Sequence, residues 1–111
     1  MNIGLMLIAS KVAKVEDRGL FSDEEMKIIR ASAFISCVKP NEVCLSASAV
    51  ARIFHHSPTT IRRWCVDNKI HSYRTPNGGW VEIPLSSVVD LKLTDGDVNE
   101  YINLDIKKVD F

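Results

Sequence analysis

Hydrophobic positions in this chain cluster into short runs separated by residues that start or stop secondary structure, and the punctuation is densest after Leu45. Ser46 stands where a side chain can cap a helix, here one carrying Val50, Ile53 and Phe54 on one face. His55-His56 predicts a tight corner. Ser57 caps again, and Pro58 falls at the first helical position, where its missing N–H costs nothing. The second helix carries Ile61, Trp64 and Cys65 at the i, i+3, i+4 spacing of a buried stripe, so Trp64 is expected to lock it onto the core. Asn68, at ease in the left-handed conformation, ends it. Ile70–Thr75 reads as a strand, Asn77-Gly78-Gly79 after Pro76 as a hairpin turn, and Trp80–Ile83 as the returning strand. Pro84 closes the hairpin, and Ser86 or Ser87 is expected to open a last short helix through Val88, Val89 and Leu91.

The flanks are read with the same rules. Ile3, Leu7, Ala9, Val12 and Val15 fit a helix loosely, until Asp17-Arg18-Gly19 breaks the pattern. Ser22 and Glu25 have the spacing of a capping box, with Phe21 and Met26 placed for a hydrophobic staple and Asp23 and Glu24 at the positive end of the helix dipole. This helix is expected to run to about Ser36 and stop before Lys39-Pro40-Asn41. It is apolar on more than one face through Ile28, Ile29, Ala33, Phe34 and Ile35. Such a helix is buried either by its own domain or by a second subunit. Beyond Thr94 the tail is acidic, and Ile102, Leu104 and Ile106 alternate with polar residues, which fits an edge strand or a frayed terminus. The expected division is an N-terminal helical extension over 1–44, a main domain over 45–93 and an acidic tail over 94–111. The fold class is mainly α with a small β-hairpin.

With 111 residues, 46% hydrophobic and 25% charged, the chain is long enough for one globular domain of ordinary size. No stretch reaches the ~20 apolar residues that span a bilayer, so no membrane partner is expected. The apolar opening Ile3–Ala9 has no positive residue before it and no small-residue cleavage site after it, which argues for buried structure over a signal peptide. Cys37, Cys44 and Cys65 show no C-x-x-C spacing and are odd in number, a poor disulfide framework. A cytoplasmic, reducing setting is expected. A metal site joining them to His55, His56 or His71 competes with ordinary cysteine burial, and burial is favoured; no cofactor is expected.

Formal net charge is zero, but its distribution is uneven. Residues 1–45 are neutral. Residues 46–75 hold Arg52, Arg62, Arg63, Lys69 and Arg74 against Asp67 alone, a net +4, and residues 76–111 carry −4. A polyanion meets local fields, so the basic window matters for where it falls. It coincides with the second short helix. B-DNA's major groove accepts such a helix, whose first turns reach base edges. Ser57, Thr59 and Thr60 supply hydroxyls there, Arg62 and Arg63 supply charge, and the helix N-terminus offers N–H groups to phosphate. The glycine-rich hairpin tip, Asn77, Gly78 and Gly79, allows close backbone approach, with Tyr73 and Arg74 at its base. Each feature alone is also an ordinary helix start, solvated face or turn; their order within fifty residues is the more specific signal.

The stretch LSASAVARIFHHSPTTIRRWCVDNKIHSYRTPNGGWVEIPLSSVVDL resembles the winged helix-turn-helix shared by MerR-type regulators and phage excisionases. LSASAVARIF matches the first helix, SPTTIRRW the recognition helix, NKIHSYRTP the entry to the wing and EIP its exit, over less than half of the chain. The resemblance implies that Thr59, Thr60, Arg62 and Arg63 lie at or near DNA, that the wing adds backbone contacts, and that the chain is bacterial or phage- or plasmid-encoded and associated with the nucleoid. Two departures stand out. The wing tip is one residue longer, with Trp80, Val81 and Glu82 where basic residues are common, so that Glu82 is expected to oppose phosphate. No long C-terminal coiled-coil helix follows, so effector sensing and dimerisation by that route are not expected.

Three function classes follow. The leading one is a sequence-specific transcriptional regulator binding double-stranded DNA as a homodimer or cooperative array. The second is an architectural factor of recombination, packaging or plasmid maintenance. The third is a protein-interaction module whose helix-turn-helix no longer binds DNA; residues 1–44 or the acidic tail are the expected contacts for a protein partner. An enzyme is not expected, since no carboxylate pair, Cys/His dyad or phosphate-cradling loop stands in a suitable setting. Self-association is expected through Met26, Ile29, Ala33 and Phe34, unless these pack on the chain's own domain.

Overall fold

Helix caps set the element boundaries. The computed structural model describes residues 3–76 and 80–97, the last three by backbone alone. The chain order is α1 (Ile3–Asp17), α2 (Asp23–Ser32), β1 (Phe34–Ile35), β2 (Val43–Leu45), α3 (Ala47–Phe54), α4 (Pro58–Val66), β3 (Tyr73–Arg74), β4 (Val81–Pro84) and α5 (Leu85–Leu91), which runs into a π-helical segment, Lys92–Asp97. The fold is mainly helical with a small antiparallel sheet.

Three serines cap as their spacing predicts. Ser22 accepts from the Glu25 N–H at 3.2 Å and Glu25 returns the bond to the Ser22 N–H at 2.8 Å, a complete capping box. Ser46 and Ser57 accept from the N–H groups of Ala49 and Thr60. Among the described residues, three non-glycine residues take left-handed backbone where the chain reverses: Asn41, His55 and Asn68. His55, at φ 61°, ends α3 and turns the chain into α4 within three residues. Gly19, at φ 68°, does the same after α1.

Several boundaries differ from expectation. α2 stops at Ser32, and the residues expected to continue it form β1 instead. Phe34 and Ile35 pair antiparallel with Cys44 and Val43, and β2 in turn pairs with β4 through Cys44–Pro84 and Leu45–Ile83. The four-stranded order is β1-β2-β4-β3, so β2 lies inside the sheet. A boundary at residue 45 would cut through this strand. β3 is shorter than the Ile70–Thr75 strand read from the sequence, and β4 is shifted by one residue to Val81–Pro84, with Tyr73 opposite Glu82 and Arg74 opposite Val81. Ser86 and Ser87 lie within α5, whose N-cap is Pro84 with no side-chain cap bond. The Asn77-Gly78-Gly79 turn and the alternation from Ile102 onward lie outside the described residues.

One core runs through all of this. Val12 and Val15 of α1, Phe21, Met26 and Ile29 of the α2 region, Leu45, Val50, Ile53, Ile61 and Cys65, and Ile83, Val88 and Leu91 are buried in a single cluster. Met26 and Ile29 are almost fully covered by their own chain, while Ala33 and Phe34 are half-buried. The expectation of self-association through this group is corrected accordingly, because its two largest helical side chains are enclosed by the chain's own core. Lys92, at the end of α5, reaches both carboxylate oxygens of Glu25 at 3.3 Å, tying the C-terminal helix to the α2 cap. Both side chains are about 15% exposed. Among the described residues, no helix is long and apolar enough to cross a membrane.

Candidate nucleic-acid interface

α4 is positioned by its apolar face. Ile61 and Cys65 are buried, and Pro58 at the first turn and the Ser57 cap define where the helix begins. The opposite face is open: Thr59, Arg62, Arg63 and Val66 are exposed, at helical offsets that place them side by side. Ser57 and Thr60 are joined through their hydroxyls at 2.9 Å in addition to the cap bond, so these two oxygens shape the helix start. Among the described residues, none of Arg52, Arg62, Arg63 and Arg74 is held in an ion pair. Their charge is available to a ligand.

Arg62 also lines a groove of about 370 Å³ with Phe34, Ser46, Ser48, Trp80 and Val81. The groove joins α4 to the start of α3 and to the root of the β3–β4 hairpin, a combination that the residue spacing did not single out. Trp80 is 61% exposed at its rim. Thr75 and Trp80 close the hairpin, with the Thr75 N–H donating to the Trp80 carbonyl and the Trp80 N–H to the Thr75 hydroxyl, each at 3.2 Å. The other hairpin candidates divide. Arg74 is exposed and lies opposite Val81. Tyr73, one residue earlier, faces the other side of the sheet, where its ring meets His71 edge-on at 5.0 Å and Lys39 at 5.9 Å. Asn77, Gly78 and Gly79 lie outside the described residues.

Trp64 is half-buried, not enclosed. Its ring meets His56 edge-on at 4.8 Å and carries the Lys69 ammonium 4.4 Å above its centroid. It braces the corner between α3 and α4 and the exit of α4, while Ile61 and Cys65 provide the deep contacts.

The expectation for Glu82 is corrected. Its side chain is fully enclosed, 0% exposed, and cannot oppose a phosphate at the surface. Its carboxylate accepts hydrogen bonds from the Ser36 hydroxyl and from the Cys37 thiol at 2.7 Å. Burial pushes this carboxyl upward. The bonds from the Cys37 thiol, the Ser36 hydroxyl, the Cys37 backbone and the Trp80 side chain outweigh it and hold the group below its ordinary range. The same pairing raises the Cys37 thiol, first through its bond to Glu82 and then through desolvation. Burial pushes the Cys44 thiol up to about 12. All three cysteines are free. Among the described residues, no group of three or more His, Cys, Asp or Glu side chains is placed to hold a metal ion.

Comparison of the chain with protein-family models, with curated proteins and with solved structures gives no match.

Proposed function

We propose that the chain is a sequence-specific double-stranded DNA-binding protein that acts in transcription regulation. It binds as a winged helix-turn-helix: α3 and α4 form the helix-turn-helix, and the β3–β4 hairpin forms the wing. The carrying observation is the exposed Thr59–Arg62–Arg63 face of α4, whose arginines have no ion-pair partner among the described residues. Its opposite face is anchored by Ile61 and Cys65. A helix held rigidly by one face and presenting arginines on the other meets the steric and electrostatic needs of major-groove reading. Arg62 near the hairpin root supports a continuous contact from helix to wing. The burial of Glu82 favours the same reading, because it removes from this surface the one carboxylate of the returning strand.

Fluorescence anisotropy on selected and scrambled duplexes over a salt series tests the proposal. Wild-type protein should bind with a steep salt dependence and discriminate between the two duplexes. The folded Arg62→Ala/Arg63→Ala variant should lose most of both. Equal binding by wild type and the double variant would sink the reading.

A further inference from the structure

Among the large hydrophobic side chains exposed in the described residues, Trp80 is the aromatic one. Its backbone is held on both sides, with its N–H donating to the Thr75 hydroxyl and its carbonyl accepting the Thr75 N–H. Its side chain also bonds to the buried Glu82 carboxylate. The ring is therefore a fixed feature of the surface. Trp64 carries Lys69 over its face and His56 against it edge-on, whereas among the described residues neither Trp80 nor Phe34 meets another ring or a cation. Both of these open rings line the groove of about 370 Å³ at the start of α3, a volume within the ~300–1,000 Å³ range of small-ligand sites. Arg62 is the one charged side chain among the groove's lining residues, and it has no ion-pair partner among the described residues. Two hydroxyls complete the lining. Ser46 accepts the Ala49 N–H and keeps its own proton to donate, and Ser48 is exposed.

We infer that this groove binds one unpaired nucleotide of a nucleic-acid strand, with the base against Trp80 and Phe34, the phosphate on Arg62 and the base edge on Ser46 and Ser48. Three properties select that occupant. Open aromatic faces favour a flat π system, and stacking accepts any base because every base has such a face. The guanidinium beside them favours an anion and disfavours the ammonium ligands that aromatic cages otherwise take. The hydroxyls both donate and accept, as the mixed edge of a nucleobase requires. A flat ring that carries hydrogen-bonding groups on its edge and a phosphate alongside is a nucleotide. A base stacked and paired inside a duplex cannot offer its face, so the ligand is an unpaired one. Arg62 belongs both to this groove and to the exposed face of α4, so a strand can run from one to the other. The inference rests on the nucleic-acid reading of this surface and adds to it a site for a single-stranded position.

Tryptophan emission and fluorescence anisotropy of the full chain test it together. Oligothymidylate should quench the emission of wild type, and Trp80→Ala, which keeps Trp64, should not respond. Labelled oligothymidylate should bind wild type and Trp80→Phe alike and Trp80→Ala about tenfold more weakly, with unchanged circular-dichroism spectra. Retention by phenylalanine separates stacking from the Glu82 bond, which both substitutions remove. A fully paired duplex should bind wild type and Trp80→Ala equally. A wild type that binds oligothymidylate but no paired duplex would uphold the groove and sink the duplex reading. Absence of quenching, an unaltered affinity in Trp80→Ala, or a Trp80→Phe as weak as Trp80→Ala would each overturn the inference. So would equal quenching by thymidine monophosphate at the same nucleotide concentration, which would assign the groove to a free nucleotide. Quenching by oligoproline with none by oligothymidylate would overturn it in favour of a protein partner.

Discussion

The carboxylate of Glu82 accepts the hydroxyl proton of Ser36, a residue 46 positions earlier in the chain. This bond joins β4 to the loop that links β1 and β2. The Ser36 oxygen also accepts from the N–H groups of Val38 and Lys39, so one serine organises the loop and satisfies the buried acid. A carboxylate at this depth is tolerated only with such partners. Its strand neighbours Val81 and Ile83 are buried as well.

The first prediction concerns this cluster. Glu82→Ala leaves the Ser36 hydroxyl and the Cys37 thiol without their acceptor and should cost about 3 kcal/mol in urea unfolding at neutral pH. Wild type should also show an acid limb. A carboxyl held below its unfolded value of 4.5 contributes stability that is complete above that value and is lost as pH falls through the folded one. Glu82→Gln should flatten that part of the profile. An unchanged acid limb in Glu82→Gln would separate the carboxylate from the pH dependence.

The second prediction divides the two arginines of α4. If Arg62 or Arg63 reads a base, its alanine variant should lose ~1–3 kcal/mol on the cognate duplex and discriminate less well. If it touches phosphate, binding should weaken on every sequence and the log–log salt slope should fall by about 1. Titrations at several salt concentrations on two duplexes distinguish these outcomes. Folded variants that match wild type in both respects would remove α4 from the interface.

A third prediction follows from the partial burial of Trp64. A fully enclosed tryptophan costs ~3–5 kcal/mol when replaced by alanine, and the half-open position here should bring the loss to about 1–3 kcal/mol. Lys69 above the ring should couple to Trp64 by ~0.5–1 kcal/mol in a double-mutant cycle. A loss near 5 kcal/mol, or zero coupling, would contradict the observed placement.

The fourth prediction separates caps from ties. Ser22→Ala and Ser57→Ala should each cost about 1 kcal/mol in thermal unfolding. Glu25→Ala should exceed Ser22→Ala, because it removes half of the capping box and the Lys92 ion pair together. At His55, left-handed at φ 61°, glycine should be neutral or stabilising and valine destabilising. Similar melting of Ser22→Ala and Glu25→Ala would show that the Lys92 tie contributes nothing.

Local chemistry was legible from residue order. The caps at Ser22, Ser46 and Ser57, the corner at His55-His56, the left-handed Asn68, and the buried Ile61 and Cys65 depend on neighbours within one or two turns, and residue order is enough to specify them. Whatever needs a distant partner emerges only when the chain is folded. β1 and β2 are two and three residues long, too short to show a period, and exist through pairing with each other and with β4. Phe34 and Ile35 look like a continuation of α2 until Cys44 and Val43 stand opposite them. Glu82 resembles a surface charge in any linear reading and is buried because Ser36 and Cys37 arrive from another part of the chain. The apolar start of α1 reads as core in the linear chain; Leu7 and Ile8 do pack against the core with Val12 and Val15, but Ile3, Leu5 and Met6 stay exposed, because only one side of that helix meets the rest of the fold.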